Sequence, residues 1–105
     1  MMMPYAERLA AVRASFRSRA ITAAIITRPA NVRYLTGFTG SSGVLMITLE
    51  HTGLLTDARY RLAAQQLTDW TLHEVRPDLP LYTLLAELLL AHAVIAVGIE
   101  AQHLT

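Results

Sequence analysis

Hydrophobic positions recur along this chain first at helical and then at strand spacing, and the switches between the two mark out alternating elements. Tyr5, Leu9, Val12 and Phe16 follow one another at steps of four, three and four, which is one apolar face of an amphipathic helix. Pro4 suits a first helical turn, and the spacing predicts a helix over 4–18. Glu7, Arg8, Arg13 and Arg17 fall off that face and are expected in solvent. Ala20 to Thr27 is short, apolar and partly β-branched, a buried first strand that Pro29 stops. A short helical turn over 30–35 turns Val32 and Leu35 inward, with Asn31 as its cap.

A glycine-punctuated loop then carries Gly37, Gly40 and Gly43 and leads into an apolar strand over 44–49. Glu50-His51-Thr52-Gly53 reads as a hairpin turn in which Gly53 supplies the permissive backbone. A third strand over 54–57 ends at Asp57, placed to cap the helix that follows. In that helix Tyr60, Ala63, Ala64 and Leu67 share a face, and Asp69 closes it. Trp70 to Val75 alternates as a fourth strand, and Arg76-Pro77-Asp78 is a loop. From Pro80 a Leu-rich helix is apolar nearly all round, so it is expected to be covered on two sides. A fifth strand over 93–99 precedes Glu100 to Thr105, the start of a further element. Helices that separate strands imply a sheet with helices on both faces, and the hairpin makes that sheet mixed.

Composition narrows the functional classes. The chain of 105 residues is one small domain, long enough for a core of its own. Apolar residues make up 53% and charged residues 16%, against a usual charged share of roughly a quarter. A domain this apolar either hides surface against a second domain or subunit, or is simply rich in Ala and Leu. The net charge of +1, with nine Arg and no compact basic run, argues against a nucleic-acid module. There is no Cys, hence no disulfide framework, thiolate zinc site or cysteine nucleophile. That fits the cytoplasm. The start Met1-Met2-Met3-Pro4 lacks the basic and apolar segments of a signal peptide. The apolar stretch 79–97 is broken by Thr83, Glu87 and His92, a poor membrane span, so no membrane partner is expected.

Candidate chemistry is sparse. The glycine loop lacks the Lys and following helix of a P-loop and is not G-x-G-x-x-G. Ser41 and Ser42 do not form a G-x-S-x-G elbow. His51, His73, His92 and His103 show no ligand spacing such as i, i+4 and read as surface or structural residues. Asp57, Asp69 and Asp78 each lie at an element boundary, where capping explains them, and Asp57 can pair with Arg59. No catalytic constellation and no metal ligand set emerges from these residues.

Two blocks carry a resemblance. Asn31-Val32-Arg33-Tyr34-Leu35-Thr36-Gly37-Phe38-Thr39-Gly40-Ser41 and Leu54-Leu55-Thr56-Asp57-Ala58-Arg59-Tyr60 come in the order, and with the intervening strand, of the N-terminal domain of the creatinase, prolidase and Xaa-Pro aminopeptidase family. Arg8 and Leu9 in the first helix, and Val97-Gly98-Ile99-Glu100, also fit, so the resemblance covers essentially the whole chain.

The resemblance implies a ribonuclease H-like three-layer α/β/α sandwich with a mixed, mainly five-stranded sheet. It implies a larger catalytic "pita-bread" domain beyond Thr105, with two Asp, one His and two Glu holding two manganese, cobalt or zinc ions, so no cofactor belongs to this chain. The family domain normally continues for a further helix, which makes the chain a truncated form of it. In such enzymes this domain helps form a homodimer and walls the active-site cleft. On that analogy Tyr34, Phe38, Thr39, Gly40 and Ser41, with the loop through Ser42, form the surface facing the catalytic domain. Asp57, Arg59 and Tyr60 form a structural cluster. The implied function is the non-catalytic part of an Xaa-Pro aminopeptidase or Xaa-Pro dipeptidase. A creatinase-like amidinohydrolase and a stand-alone interaction module of the same fold are the alternatives.

Overall fold

Each apolar run of the sequence becomes an element of one sheet or of the helices that cover it. The computed structural model describes residues 4–99. The elements are α1 (Tyr5–Arg19), β1 (Ala23–Ile26), α2 (Pro29–Thr36), β2 (Val44–Thr48), β3 (Thr52–Asp57), a 3-10 turn (Ala58–Tyr60), α3 (Arg61–Gln65), β4 (Thr71–Val75), α4 (Leu81–Ala91) and β5 (Val97–Ile99). The further element expected over Glu100–Thr105, with His103, lies outside the described residues.

The five strands form one mixed sheet in the order β4-β3-β2-β1-β5. β2 pairs antiparallel with both β1 and β3, whereas β3 with β4 and β1 with β5 are parallel. β2 alone therefore runs against the other four, and the carboxyl ends of β1, β3, β4 and β5 share one end of the sheet. This is the expected three-layer α/β/α architecture.

Burial on both faces explains why the strands read as continuous apolar runs instead of alternating ones. Ala24, Ile26, Leu45, Ile47 and Leu54 face α1, α2 and α3, where Val12, Phe16, Val32, Leu35 and Ala64 complete the larger core. Ile25, Val44, Met46 and Leu55 face α4 and meet Leu84. Ile26, Leu45, Ile47, Leu54 and Leu55 are fully enclosed, each contributing about 1.5–3 kcal/mol of transfer free energy. α4 links edge strand β4 to β5 at the opposite edge, so this single helix covers the second face.

Several local expectations change. Arg8 is buried and Arg13 is half-buried, where solvent exposure is expected for both. Arg8 is 7% exposed; its Nη1 donates to the Tyr34 carbonyl at 2.6 Å, and its guanidinium lies against the rings of Tyr34 and Tyr5. Arg13 Nε donates to the Thr48 carbonyl at 2.8 Å and Nη2 to the His51 carbonyl at 3.3 Å. Long stems let both heads reach backbone carbonyls from a helix face that looks polar by spacing. Asn31 does not cap α2. It is buried inside the helix, Arg28 holds the cap position and Pro29 the first turn.

Gly53 lies within β3, not in the turn, and the turn is closed instead by Thr48 Oγ1, which accepts from the amides of Glu50 and His51. The helix after β3 splits into the 3-10 turn and α3, which ends at Gln65. Asp69 serves through its carbonyl, which accepts from Thr52 Oγ1 at 2.6 Å. Asp78 pairs with Arg76 at 3.3 Å, and Pro80 holds the cap position of α4. α4 is covered on one side only: Leu84 is buried, while Tyr82 and Leu90 are 82% and 81% exposed.

Candidate functional site

The two signature blocks meet in space at the end of the sheet where β1, β3 and β4 finish. In open α/β sheets, ligands and partners collect outside the carboxyl ends of the strands. α2 ends at Gly37, whose φ of 80° is the left-handed conformation that a side chain disfavours. Its amide donates to the Arg33 carbonyl at 2.7 Å. Thr36 Oγ1 donates to the Val32 carbonyl and accepts from the Phe38 amide, which turns the chain inward. Phe38 then inserts beneath the loop. A Cβ on Gly40 would stand 2.4 Å from Phe38 Cζ, so only glycine lets the loop fold over that ring.

The second block holds the loop from the other side. Asp57 caps the 3-10 turn by accepting from the Arg59 amide, and its two oxygens take a bidentate pair from the Arg59 guanidinium at 2.9 and 2.8 Å. Those charged hydrogen bonds hold the Asp57 carboxyl at about 2, below its ordinary 3.8. Tyr60 meets Phe38 edge-on at 5.7 Å, and its Oη shares a hydrogen bond with Ser41 Oγ at 2.6 Å. That bond, with Arg59 beside the ring, lowers the Tyr60 phenol from its usual range. Thr56 Oγ1 donates to the Ser42 carbonyl. The loop is thus pinned at Phe38 and Ser41 by Tyr60 and at Ser42 by Thr56.

Beside this unit an open cleft of ≈ 480 Å³ is lined by Asp57, Arg59, Glu74, Arg76 and Asp78. Its charges are satisfied internally or by neighbours: Asp57 by Arg59, Asp78 by Arg76, and Glu74 by Arg61, at 2.6 Å for the last pair. Arg61 correspondingly lowers the Glu74 carboxyl. Paired in this way, the cleft walls present no strong net charge.

The expected interdomain surface is partly corrected. Phe38 is 4% exposed and belongs to the larger core, so it cannot face a partner; the glycines above it make room for an inward ring. Tyr34 is half-buried, with its carbonyl bound by Arg8. Thr39 and Ser41 are exposed and Gly40 is half-buried. Asp57 pairs with Arg59 at 2.8 Å, and the Arg59 guanidinium lies 5.2 Å from the centroid of the Tyr60 ring.

Sequence spacing missed Arg8 and Arg13, and it missed an imidazole cluster. His51 Nε2 and His73 Nε2 lie 3.1 Å apart, and His92 stacks on His51 with centroids 4.3 Å apart. Three elements bring these rings together, so no local spacing could reveal it; alternation does place His73 on the α4 side of β4. Among the described residues, no group of three or more His, Cys, Asp or Glu could hold a metal ion.

Comparison with known proteins places the fold and its signature blocks. The profile of the "Creatinase/Prolidase N-terminal domain" family matches residues 8–105. The chain belongs to this family. Among solved structures, the creatinase/prolidase N-terminal domain described here superposes on an Xaa-Pro aminopeptidase from Streptococcus pyogenes with a TM-score of 0.81. The two are 31% identical, over 94% of this chain and 75% of that one. The N-terminal domain of the cytoplasmic peptidase PepQ from Mycobacterium tuberculosis H37Rv gives a TM-score of 0.78 at 32% identity, over 90% of this chain and 72% of that one. An uncharacterized peptidase, YqhT of Bacillus subtilis, is 42% identical over 53 residues. That alignment covers 50% of this creatinase/prolidase N-terminal domain and 15% of YqhT, so the chain matches a small part of a longer protein.

Proposed function

We propose that this chain is the non-catalytic N-terminal domain of a proline-specific metallopeptidase, an Xaa-Pro aminopeptidase or Xaa-Pro dipeptidase. In this reading a following C-terminal domain holds the two divalent ions and performs hydrolysis in the cytoplasm. The domain described here shapes substrate access and joins two subunits. Thr39, Gly40 and Ser41, with the exposed part of Tyr34, face the catalytic domain; Asp57, Arg59 and Tyr60 hold that loop in shape.

The observation that carries the reading is the apolar surface left outside a completed fold. Leu62, Tyr82, Leu90 and Ile95 are exposed although both cores are closed beneath them. These are the most exposed of seven large apolar residues left in solvent among the described residues; scattered ones are ordinary, but seven on a domain this short fit a protein that meets other surfaces. Sedimentation equilibrium of the pure chain tests this. Reversible self-association at high concentration is expected, and a strictly monomeric profile at every concentration contradicts it. In the same preparation, added manganese is expected to give no turnover of an Xaa-Pro dipeptide. Clear turnover would place catalysis in this domain and overturn the reading.

A further inference from the structure

The imidazole cluster lies at the opposite end of the sheet from the signature blocks and has no part in the proposed function. We propose that His51, His73 and His92 form an acid-opened latch that fixes the C-terminal end of α4 to the β2–β3 turn.

The geometry makes the latch sensitive to proton number. His51 leaves the turn, His73 projects from β4 and His92 ends α4. The Nε2 atoms of His51 and His73 face each other at 3.1 Å, which allows one N–H between them. A first added proton can go to an outward Nδ1 and leave that hydrogen bond in place. A second puts N–H groups on both facing nitrogens, so the bond is lost and two cations oppose each other. Gly53 allows this approach, since a Cβ there would lie 2.9 Å from His73 Cδ2 and 3.0 Å from His51 Nε2.

The surroundings favour the neutral pair. From α1, the Arg13 guanidinium binds the His51 carbonyl, and from α4, His92 stacks on the His51 ring. Glu50 in the turn, Asp69 before β4, Glu74 on β4 and Glu87 on α4 are the neighbouring acids in sequence, and no carboxylate among the described residues bonds to any of the three rings. Burial first, then the adjacent His and Arg13, lowers His51; burial, then the other two rings, lowers His73. A histidine depressed in the folded state leaves stability intact above its unfolded value of about 6.5 and removes it as pH falls below that value. The part held is the last turn of α4, where half-buried Leu88 and Leu89 lie against the second core.

Proton NMR titration of the three rings, read together with amide exchange, tests the latch on the wild-type chain. From about pH 7.5 to about pH 5, protection in the last turn of α4 and in the β2–β3 turn is expected to fall together by about tenfold or more after correction for intrinsic exchange. Protection in β1 is expected to stay constant. His73→Gln cannot take up a proton and is expected to abolish this acid dependence; His92→Gln gives an independent check if His73→Gln fails to fold. Three outcomes overturn the proposal: wild-type protection at the α4 end that does not change with pH, loss of protection in β1 by the same factor, or unchanged acid sensitivity in both variants.

Discussion

Arg8 shows most clearly what a single residue contributes. It joins α1 to α2 through the Tyr34 carbonyl and packs against two tyrosine rings, although its charge makes it look like a surface residue. A helical wheel sorts residues by polarity and cannot see that an arginine stem buries as readily as a methionine. Arg8→Met keeps the stem and removes the charged hydrogen bond, and is expected to cost about 1.5–3 kcal/mol in urea unfolding. Asp57 was legible because its role is local: an acid directly before a helical turn, with Arg59 two residues on. Its folded value of about 2 lies below the ordinary 3.8, so its contribution is complete above that ordinary value and is lost as pH falls toward 2. Melting curves should therefore decline more steeply with acid for wild type than for Asp57→Asn below about pH 4. Phe38 was misread for the opposite reason. An aromatic in a glycine-rich loop looks exposed until the loop is seen to fold over it.

At the scale of elements, the strands and helices were legible because their apolar runs are long compared with the turns between them. The strands of 44–49 and 70–75 in the sequence reading became Val44–Thr48 and Thr71–Val75. The failures cluster at connections. Gly53 reads as a turn residue by composition, yet it sits in β3 because two imidazoles need the space beside it. α4 reads as a helix covered on two sides, but the fold provides one sheet face for it to cover. Its inner and outer residues should behave differently. Leu84→Ala is expected to destabilise the chain by about 2–5 kcal/mol, because it opens a cavity in the second core. Leu90→Lys is expected to change stability by no more than about 0.5 kcal/mol, as is usual for an exposed site. Equal effects from the two would mean that α4 does not seat on the sheet as described.

The whole molecule is a small α/β/α domain whose sheet order and signature blocks place it among creatinase/prolidase N-terminal domains. The fold was legible because those blocks are local and specific. The imidazole cluster was not, because His51, His73 and His92 meet through a turn, a strand and a helix end that are far apart in sequence. The same long-range folding brings Ser41 to Tyr60 and Ser42 to Thr56, so the two blocks form one structural unit rather than two separate motifs. If Leu90 lies in a contact between subunits, Leu90→Lys should weaken the self-association seen by sedimentation without altering the fold. The most direct measurement reads the gene beyond the codon for Thr105. A downstream frame encoding a second domain with an Asp, Asp, His, Glu, Glu ligand series is the predicted result; a stop codon directly after Thr105, or a following domain without that series, contradicts the assignment to a metallopeptidase.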